Sequence, residues 1–529
     1  MTDIEIPYTK DKTKWYRFWE IVPGFLSWTI LIMPFVLSIF NPSLFAVFII
    51  AYLLIWFFKG LGMSIRSIQG YRLLGKQQAL DWPLLNQDLE AGTLLHPHKK
   101  YPKWHRNNMD RSDKYPLFCK PSEVTHALII ATYNESREIL EPTIQSVLAS
   151  KFDMKKVILV LAYEERGGER VEKQAKALMK QYAGSFKHAF AVKHPKDLPG
   201  EVIGKGGNIT YAARELQTYL TQKKLHPEKV IVTTLDADNR PHHHYLSALT
   251  YTFCSTEDPR YVSYQPIPIF TNNIWDAPAP MRVIATGNSF WNIVLGVRPH
   301  MLRNFSSHAQ SMAALIDTDF WSVRTIVEDG HQYWRTYFRF DGRHEVYPIF
   351  TPIFQDAVLA DGYRRTLKAQ FKQIQRWAYG ASDVAYVASK GIRKGSKVSK
   401  IDFVMKFSRL LEGHVSWATA SLLILVAPLI PVVIQPENFV ANQLPRLAST
   451  IQTIALSGIF ISLLLSLKFL PPRPARYKRH RNIFMVLQWG LLPITTILYN
   501  TAAAIYSQTR LMFGKYLDKF DVTEKAIRK

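Results

Sequence analysis

Cysteine is almost missing from this 529-residue chain, which carries only Cys119 and Cys254. Two thiols cannot build a disulfide framework, so nothing in the sequence demands an oxidising compartment. Acidic residues are scarce as well: 42 Asp and Glu stand against 66 Lys and Arg, leaving a formal charge of +24. Such an excess suits nucleic acid, anionic lipid or a phosphate-bearing substrate. No recognised DNA-binding or RNA-binding motif accompanies it, which speaks against nucleic acid as a partner. Charged residues make up only 20% and aromatic residues reach 13%, a balance that excludes long disorder and collagen-like repeats. Internal repeats and low-complexity tracts are absent too.

What the chain has in quantity is uncharged sequence, gathered in runs at 21–40, 43–58, 413–434, 447–467 and 482–509. A membrane-spanning helix needs about 20 apolar residues. The first, third and fourth runs meet that plainly, the second is short, and the fifth is broken by Pro493. The first run lacks a small-residue cleavage site and a second follows at once, so it is not a signal peptide. Lys10, Lys12, Lys14 and Arg17 precede the first run, Lys59, Arg66, Arg72 and Lys76 follow the second, and the turn between is uncharged. Basic flanks stay on the cytoplasmic side, which puts both ends of this hairpin, and the polar block 59–411, in the cytoplasm of a plasma-membrane protein. Five spans would leave the basic tail 507–529 outside. A re-entrant or split helix around Pro493 resolves that conflict and is the expectation here.

Within the polar block, short apolar runs alternate with helical segments. THALIIAT (125–132), KVILVLAY (156–163), HAFAVK (188–193) and KVIVTTLDAD (229–238) read as strands. Helices are expected at 172–183 and 207–222. This alternation implies a mostly parallel α/β sheet that binds ligands at the carboxyl ends of its strands. The chain then divides into two transmembrane helices (1–60), a basic linker (61–120), the α/β domain (121–358), amphipathic interface helices (359–411), and C-terminal transmembrane helices with a short tail (412–529).

Chemistry-bearing residues cluster at the expected strand ends. Tyr133-Asn134-Glu135 leaves the first strand, where an aromatic ring can stack on a base and a carboxylate can bond to its edge; a turn with a helix cap reads equally well. Glu164 and Glu165 end the second strand. Gly204-Lys205-Gly206-Gly207-Asn208 opens a helix whose backbone NH groups and lysine suit an anion. It is not a P-loop, since no Ser or Thr follows the lysine. Asp236-Ala237-Asp238 leaves an apolar strand as a carboxylate pair able to hold Mg²⁺ or Mn²⁺ against a diphosphate. Asp317-Thr318-Asp319 repeats the pattern without the strand and reads as a loop. His242-His243-His244 reads as the polar start of a helix. Glu328-Asp329 sets adjacent acids in an aromatic region, where one can accept a proton from a hydroxyl. Gln373, Arg376 and Trp377 lie on an amphipathic segment (Leu367, Phe371, Ile374 and Ala378 on one face, Arg365, Lys368, Lys372 and Arg376 on another) with the pattern of a helix lying in the membrane interface.

Taken in order between membrane helices, these motifs resemble the family 2 glycosyltransferases, and most of all the membrane-embedded β-glycan synthases that make cellulose, chitin, hyaluronan or mannan. The resemblance covers about 125–380 by motif. It implies a Rossmann-like GT-A domain inserted between N-terminal and C-terminal transmembrane helices. It also implies an inverting transfer from a nucleotide-diphosphate sugar to a growing glycan, with Mg²⁺ or Mn²⁺ as cofactor. By the same resemblance Tyr133, Glu135 and Glu165 would meet the nucleotide, Lys205 the donor, Asp236 the diphosphate and Asp238 the metal. Asp329 would be the general base, supported by Glu328, with Gln373, Arg376 and Trp377 at the pyrophosphate and the acceptor end. Two departures stand out. Val327 replaces the usual Thr before the acidic pair, and 305–310 lacks the expected Gly-bearing acceptor loop. Two other readings remain: one sugar transferred to a lipid carrier, or an inactive transporter or scaffold.

Overall fold

The computed structural model describes residues 4–112, 114–519 and 525–526. Its centre is an eight-stranded sheet of β1 (Thr125–Thr132), β2 (Val157–Glu164), β3 (His188–His194), β4 (Val230–Asp236), β5 (Arg240–Pro241), β6 (Val262–Phe270), β7 (Ala309–Ser311) and β8 (Glu345–Gln355), in the order β3-β2-β1-β4-β7-β6-β8-β5. β3, β2, β1 and β4 run parallel, as the alternation of strand and helix requires. β7 pairs antiparallel with β4 and β6, while β6 and β8 run parallel to each other.

Alternating side chains divide this sheet between two cores. Leu128, Ile130, Leu159 and Leu161 enter one, and Ala127, Ile129, Ile158 and Val160 enter the other. Burial on both faces explains why these strands are apolar throughout instead of alternating with polar residues. The helices Arg137–Leu148, Gly168–Tyr182 and Lys205–Gln222 provide the crossovers. Residues between the second membrane-length helix and β1 form two short helices, Trp82–Ala91 and Lys103–Ser112. Trp82, Leu85 and Leu89 join the first core.

Among the described residues, four helices are long and apolar enough to cross a membrane: Lys14–Phe40, Pro42–Gln78, Phe439–Phe469 and the composite Arg481–Met512. The bent pair Lys400–Leu425 and Ala427–Ile434 makes a fifth if it is one span. The α/β domain is thus inserted between N-terminal and C-terminal membrane-length helices, as expected.

The last stretch departs from a simple span. It breaks around Pro493 and includes a π-helical segment, Thr496–Thr501. Arg481 donates to the Trp275 carbonyl at its start (3.0 Å), Ser507 to the Gln375 carbonyl near its end (2.7 Å), and Arg17 to the Leu511 carbonyl (2.7 Å). Its start therefore lies against the α/β domain, and its end against the helix carrying Gln375 and the N-terminal helix carrying Arg17. The helix is split around Pro493, as expected there, and remains long and apolar enough to cross a membrane.

Candidate active site

The carboxyl ends of β1, β2, β4 and β8 open into one cavity of about 430 Å³. Tyr133, Glu135, Lys205, Asp236, Asp238, Glu328, Asp329, Gln373, Arg376 and Trp377 all line it. Glu165 does not. It accepts from the Lys196 backbone (3.0 Å), while its neighbour Glu164 is buried and faces the cavity. A one-residue step along a strand end turns the side chain to the other face.

Each side chain has a local reason for its position. The Glu135 Oε2 accepts from Thr132 Oγ1 (2.8 Å) and the Tyr133 amide (2.8 Å), folding the carboxylate back over the end of β1. Glu164 Oε2 is held by His194 Nδ1 (3.1 Å) and Arg166 (3.1 Å), and His194 Nε2 lies 2.9 Å from Glu201. Burial opposes charge on that imidazole, but Glu164 and Glu201 outweigh it and push its pKa up to about 9. Gly204 caps the helix that begins at Lys205. A Cβ at Gly206 would overlap the Ser322 carbonyl and come within 3.2 Å of Glu328 Cβ. Glycine there lets this helix start press against the one that begins with Glu328 and Asp329.

The electrostatics follow from that contact. Lys205 Nζ sits 2.7 Å from Asp236 Oδ1 and donates to the Ser306 carbonyl at 2.8 Å. Burial opposes ionisation of Asp236, yet Lys205, Lys525 and Arg376 hold its pKa below the usual carboxylate range. Glu328 and Asp329 go the other way. Burial lifts both, with Asp329 adding to the shift of Glu328 and Asp236 to that of Asp329, while Lys205 and Arg376 restrain Asp329. One carboxylate kept charged beside two raised acids separates anion-facing and proton-accepting roles.

Two further residues belong to the cavity. Asp356, just past β8, donates its backbone NH to Asp238 Oδ2 (3.1 Å). Burial and the charge of Asp238 raise its carboxyl to about 7. Lys525 reaches in from the C-terminal tail, its ammonium 2.7 Å from Asp238 Oδ1 and 4.0 Å from Glu135. Burial opposes that charge, but Asp238, Glu135 and Asp236 hold its pKa above the ordinary lysine value. Asp317 and Asp319, by contrast, pair with Arg260 and Arg214 outside the cavity. The rings of His242, His243 and His244 pack against one another at tilted angles, also outside it.

A divalent cation bound largely by diphosphate oxygens needs only one or two protein carboxylates. Asp238 and Asp356 fit that requirement, since Asp356 Oδ1 is buried without a hydrogen-bond partner in the protein. Among the described residues no group of three or more His, Cys, Asp or Glu is arranged for a metal, so such an ion would depend on substrate oxygens.

No family model matches the chain, and no curated protein is a significant match. Solved structures similar to it in part include the mannosyltransferase PcManGT from Pyrobaculum calidifontis in complex with GDP-Man and Mn²⁺. It is 14% identical, with 83% of this chain and 98% of that one covered, at a TM-score of 0.37. S. aureus TarS 1-349 in complex with UDP-GlcNAc is 12% identical over 74% of this chain and 93% of that one (TM-score 0.36). GalNAc-T7 with UDP, GalNAc and Mn²⁺ is 12% identical over 55% of each chain (TM-score 0.31).

Proposed function

We propose that this chain is a membrane-embedded inverting glycosyltransferase of the β-glycan synthase type, which moves a sugar from a nucleotide-diphosphate donor to a growing polysaccharide. One observation supports this above the rest. In a single cavity at the strand ends, a charged Asp236–Lys205 pair meets two raised acids and the Arg376 end of a helix that packs against membrane-length helices.

In this reading Tyr133 stacks on the nucleobase and the Glu164 carboxylate, backed by protonated His194, accepts from its edge. Glu135 meets the ribose. Lys205 and Arg376 bring positive charge to the leaving diphosphate, where negative charge grows as the glycosidic bond to the donor breaks. Asp238 and Asp356 would hold a bound Mg²⁺ or Mn²⁺, whose chemistry would be to neutralise the same oxygens. Asp329 takes the proton of the acceptor hydroxyl as that oxygen attacks the anomeric carbon from the face opposite the diphosphate. Bond formation and bond breaking on opposite faces invert the configuration. Glu328 supports the base, and Gln373 and Trp377 hold the acceptor end. A glycan or lipid acceptor would arrive along the membrane helices, with the α/β domain on the cytoplasmic side of the plasma membrane.

The test is a screen of radiolabelled uridine- and guanosine-diphosphate sugars with membranes containing the full chain, followed by sizing of the product. Long polymer from one donor is expected. A single lipid-linked sugar would overturn the polymer reading alone, and no transfer from any donor would overturn the assignment.

A further inference from the structure

A second concentration of charge lies apart from the cavity, on the membrane side of the domain. Lys59 ends the apolar part of the helix Pro42–Gln78, and its ammonium pairs with Glu412 at 2.8 Å, just before the uncharged run of the neighbouring helix Lys400–Leu425. That pair marks the level where the two apolar stretches end. Arg66 stands seven residues beyond it and Arg409 three residues before Glu412, placing them about 10 Å and about 5 Å on the domain side at helical rise. This is headgroup depth.

Packing draws two more arginines and a histidine to the same place. Gly70, one turn past Arg66, lies within close contact of Ile293, and a Cβ there would stand 3.4 Å from Val297, next to Arg298. Met301 and Leu302 pack in one cluster with Phe403, Phe407 and Leu410 of the helix bearing Arg409. Arg303 lies flat over Tyr333, 4.0 Å from the ring centroid. Arg66, Arg298, His300, Arg303 and Arg409 thus converge between the helices Pro42–Gln78 and Lys400–Leu425. Their mutual field is evident. Burial and the charges of Arg66 and Arg409 push Arg298 down, and burial with Arg298, Arg409, Arg303 and Arg66 does the same to His300.

Among the described residues none of these four arginines has a carboxylate within ion-pair distance. The nearby acid, Asp402, is occupied by Lys406 at 2.6 Å and the Tyr337 hydroxyl at 2.7 Å. None of the five lines the catalytic cavity. Beside them the two helices expose large apolar side chains, Phe58, Leu61 and Ile65 on one, Val404 and Met405 on the other. Concentrated arginine without an ion-pair partner at headgroup depth, flanked by exposed apolar surface, is what a phosphate on an acyl-chain anchor requires: guanidinium forks bond its oxygens and the side chains beside them take the tails.

We propose that Arg66, Arg298, His300, Arg303 and Arg409 form a binding site for the phosphate headgroup of an anionic phospholipid. Arg303 stacks on Tyr333 of the helix Glu328–Arg339, so the occupied site also braces the helix that begins with the acidic pair.

Native mass spectrometry of the delipidated full chain, titrated with phosphatidylglycerol or phosphatidylcholine, tests this. The wild type should retain phosphatidylglycerol in preference. Each arginine replaced by Gln should weaken retention about fivefold, and Arg298→Gln with Arg409→Gln more than about tenfold. The corresponding double Lys variant should keep most of the preference, because the charge remains. Equal retention of the two lipids, or an unchanged preference in the double Gln variant, would overturn the proposal. Displacement of phosphatidylglycerol by millimolar inorganic phosphate would do so too, by showing that a free anion is the ligand. Should the double variant aggregate, Arg409→Gln alone decides: a fivefold loss supports the site and no loss refutes it.

Discussion

In the proposed mechanism Lys205 is the cation on which the electrostatics of the cavity turn, and Lys205→Gln isolates its charge. The ammonium lies 2.7 Å from Asp236 Oδ1, and the side chain is only 10% exposed. Its charge also bears on Glu328 and Asp329. A charge pair at about 4 Å in partly shielded surroundings interacts by about 4 kcal/mol. Breaking a buried pair by removing one partner costs about 3–5 kcal/mol. Part of that loss falls on stability. The part felt by the developing diphosphate charge should lower kcat/KM by about 10²–10³-fold. The pH profile should shift independently of the rate. Asp329 must be ionised to accept a proton, and its pKa already lies above the usual carboxylate range, with Lys205 holding it down. Without Lys205 that pKa rises further, so activity should fade at a higher pH as the medium is acidified. Sugar transfer by membranes across about pH 5.5 to 9 reads both effects at once. Lys205→Arg should restore the acid limb more than the rate, since the charge returns but the fit at Ser306 does not. A Lys205→Gln protein with wild-type rate and an unmoved acid limb would refute this reasoning.

Gly206→Ala should cut sugar transfer strongly with donor binding less affected, because the new Cβ pushes the Lys205 helix off Ser322 and Glu328; normal turnover would contradict the close packing. The His194 ring, raised to about 9, adds stability that is fully present below its unfolded pKa of about 6.5 and is lost as pH rises through about 9. Thermal unfolding midpoints should therefore fall between those values in the wild type and flatten in His194→Gln. Lys525 and a divalent ion would share the Asp238 carboxylate, so Lys525→Ala should bind Mn²⁺ more tightly in a direct titration, and weaker binding would count against Asp238 as ligand.

Much of the α/β core was legible because β1, β2 and β4 are largely apolar runs, buried on both faces and closed by polar residues. β6 and β8 were not legible. Pro266, Pro268, Pro348 and Pro352 argue against strands, and their parallel pairing brings together residues some 80 positions apart in sequence. Asp356 was hidden by the same prolines, although it leaves a strand just as Asp236 does. The choice of Glu165 over Glu164 turned on one residue of register, which composition does not set. Lys525 carried no local signal, because only tertiary packing returns the tail to Asp238. Pro493, on the other hand, did announce that the final apolar stretch is not one regular α-helix.

The most direct measurement is sugar transfer by Asp329→Asn, with nucleoside-diphosphate binding measured on the same purified membranes. The variant keeps the shape of the side chain and removes its capacity to accept a proton. Binding near the wild-type level with transfer reduced about a hundredfold or more is the expected result. Transfer at the wild-type rate would contradict the assignment of this cavity as the catalytic centre.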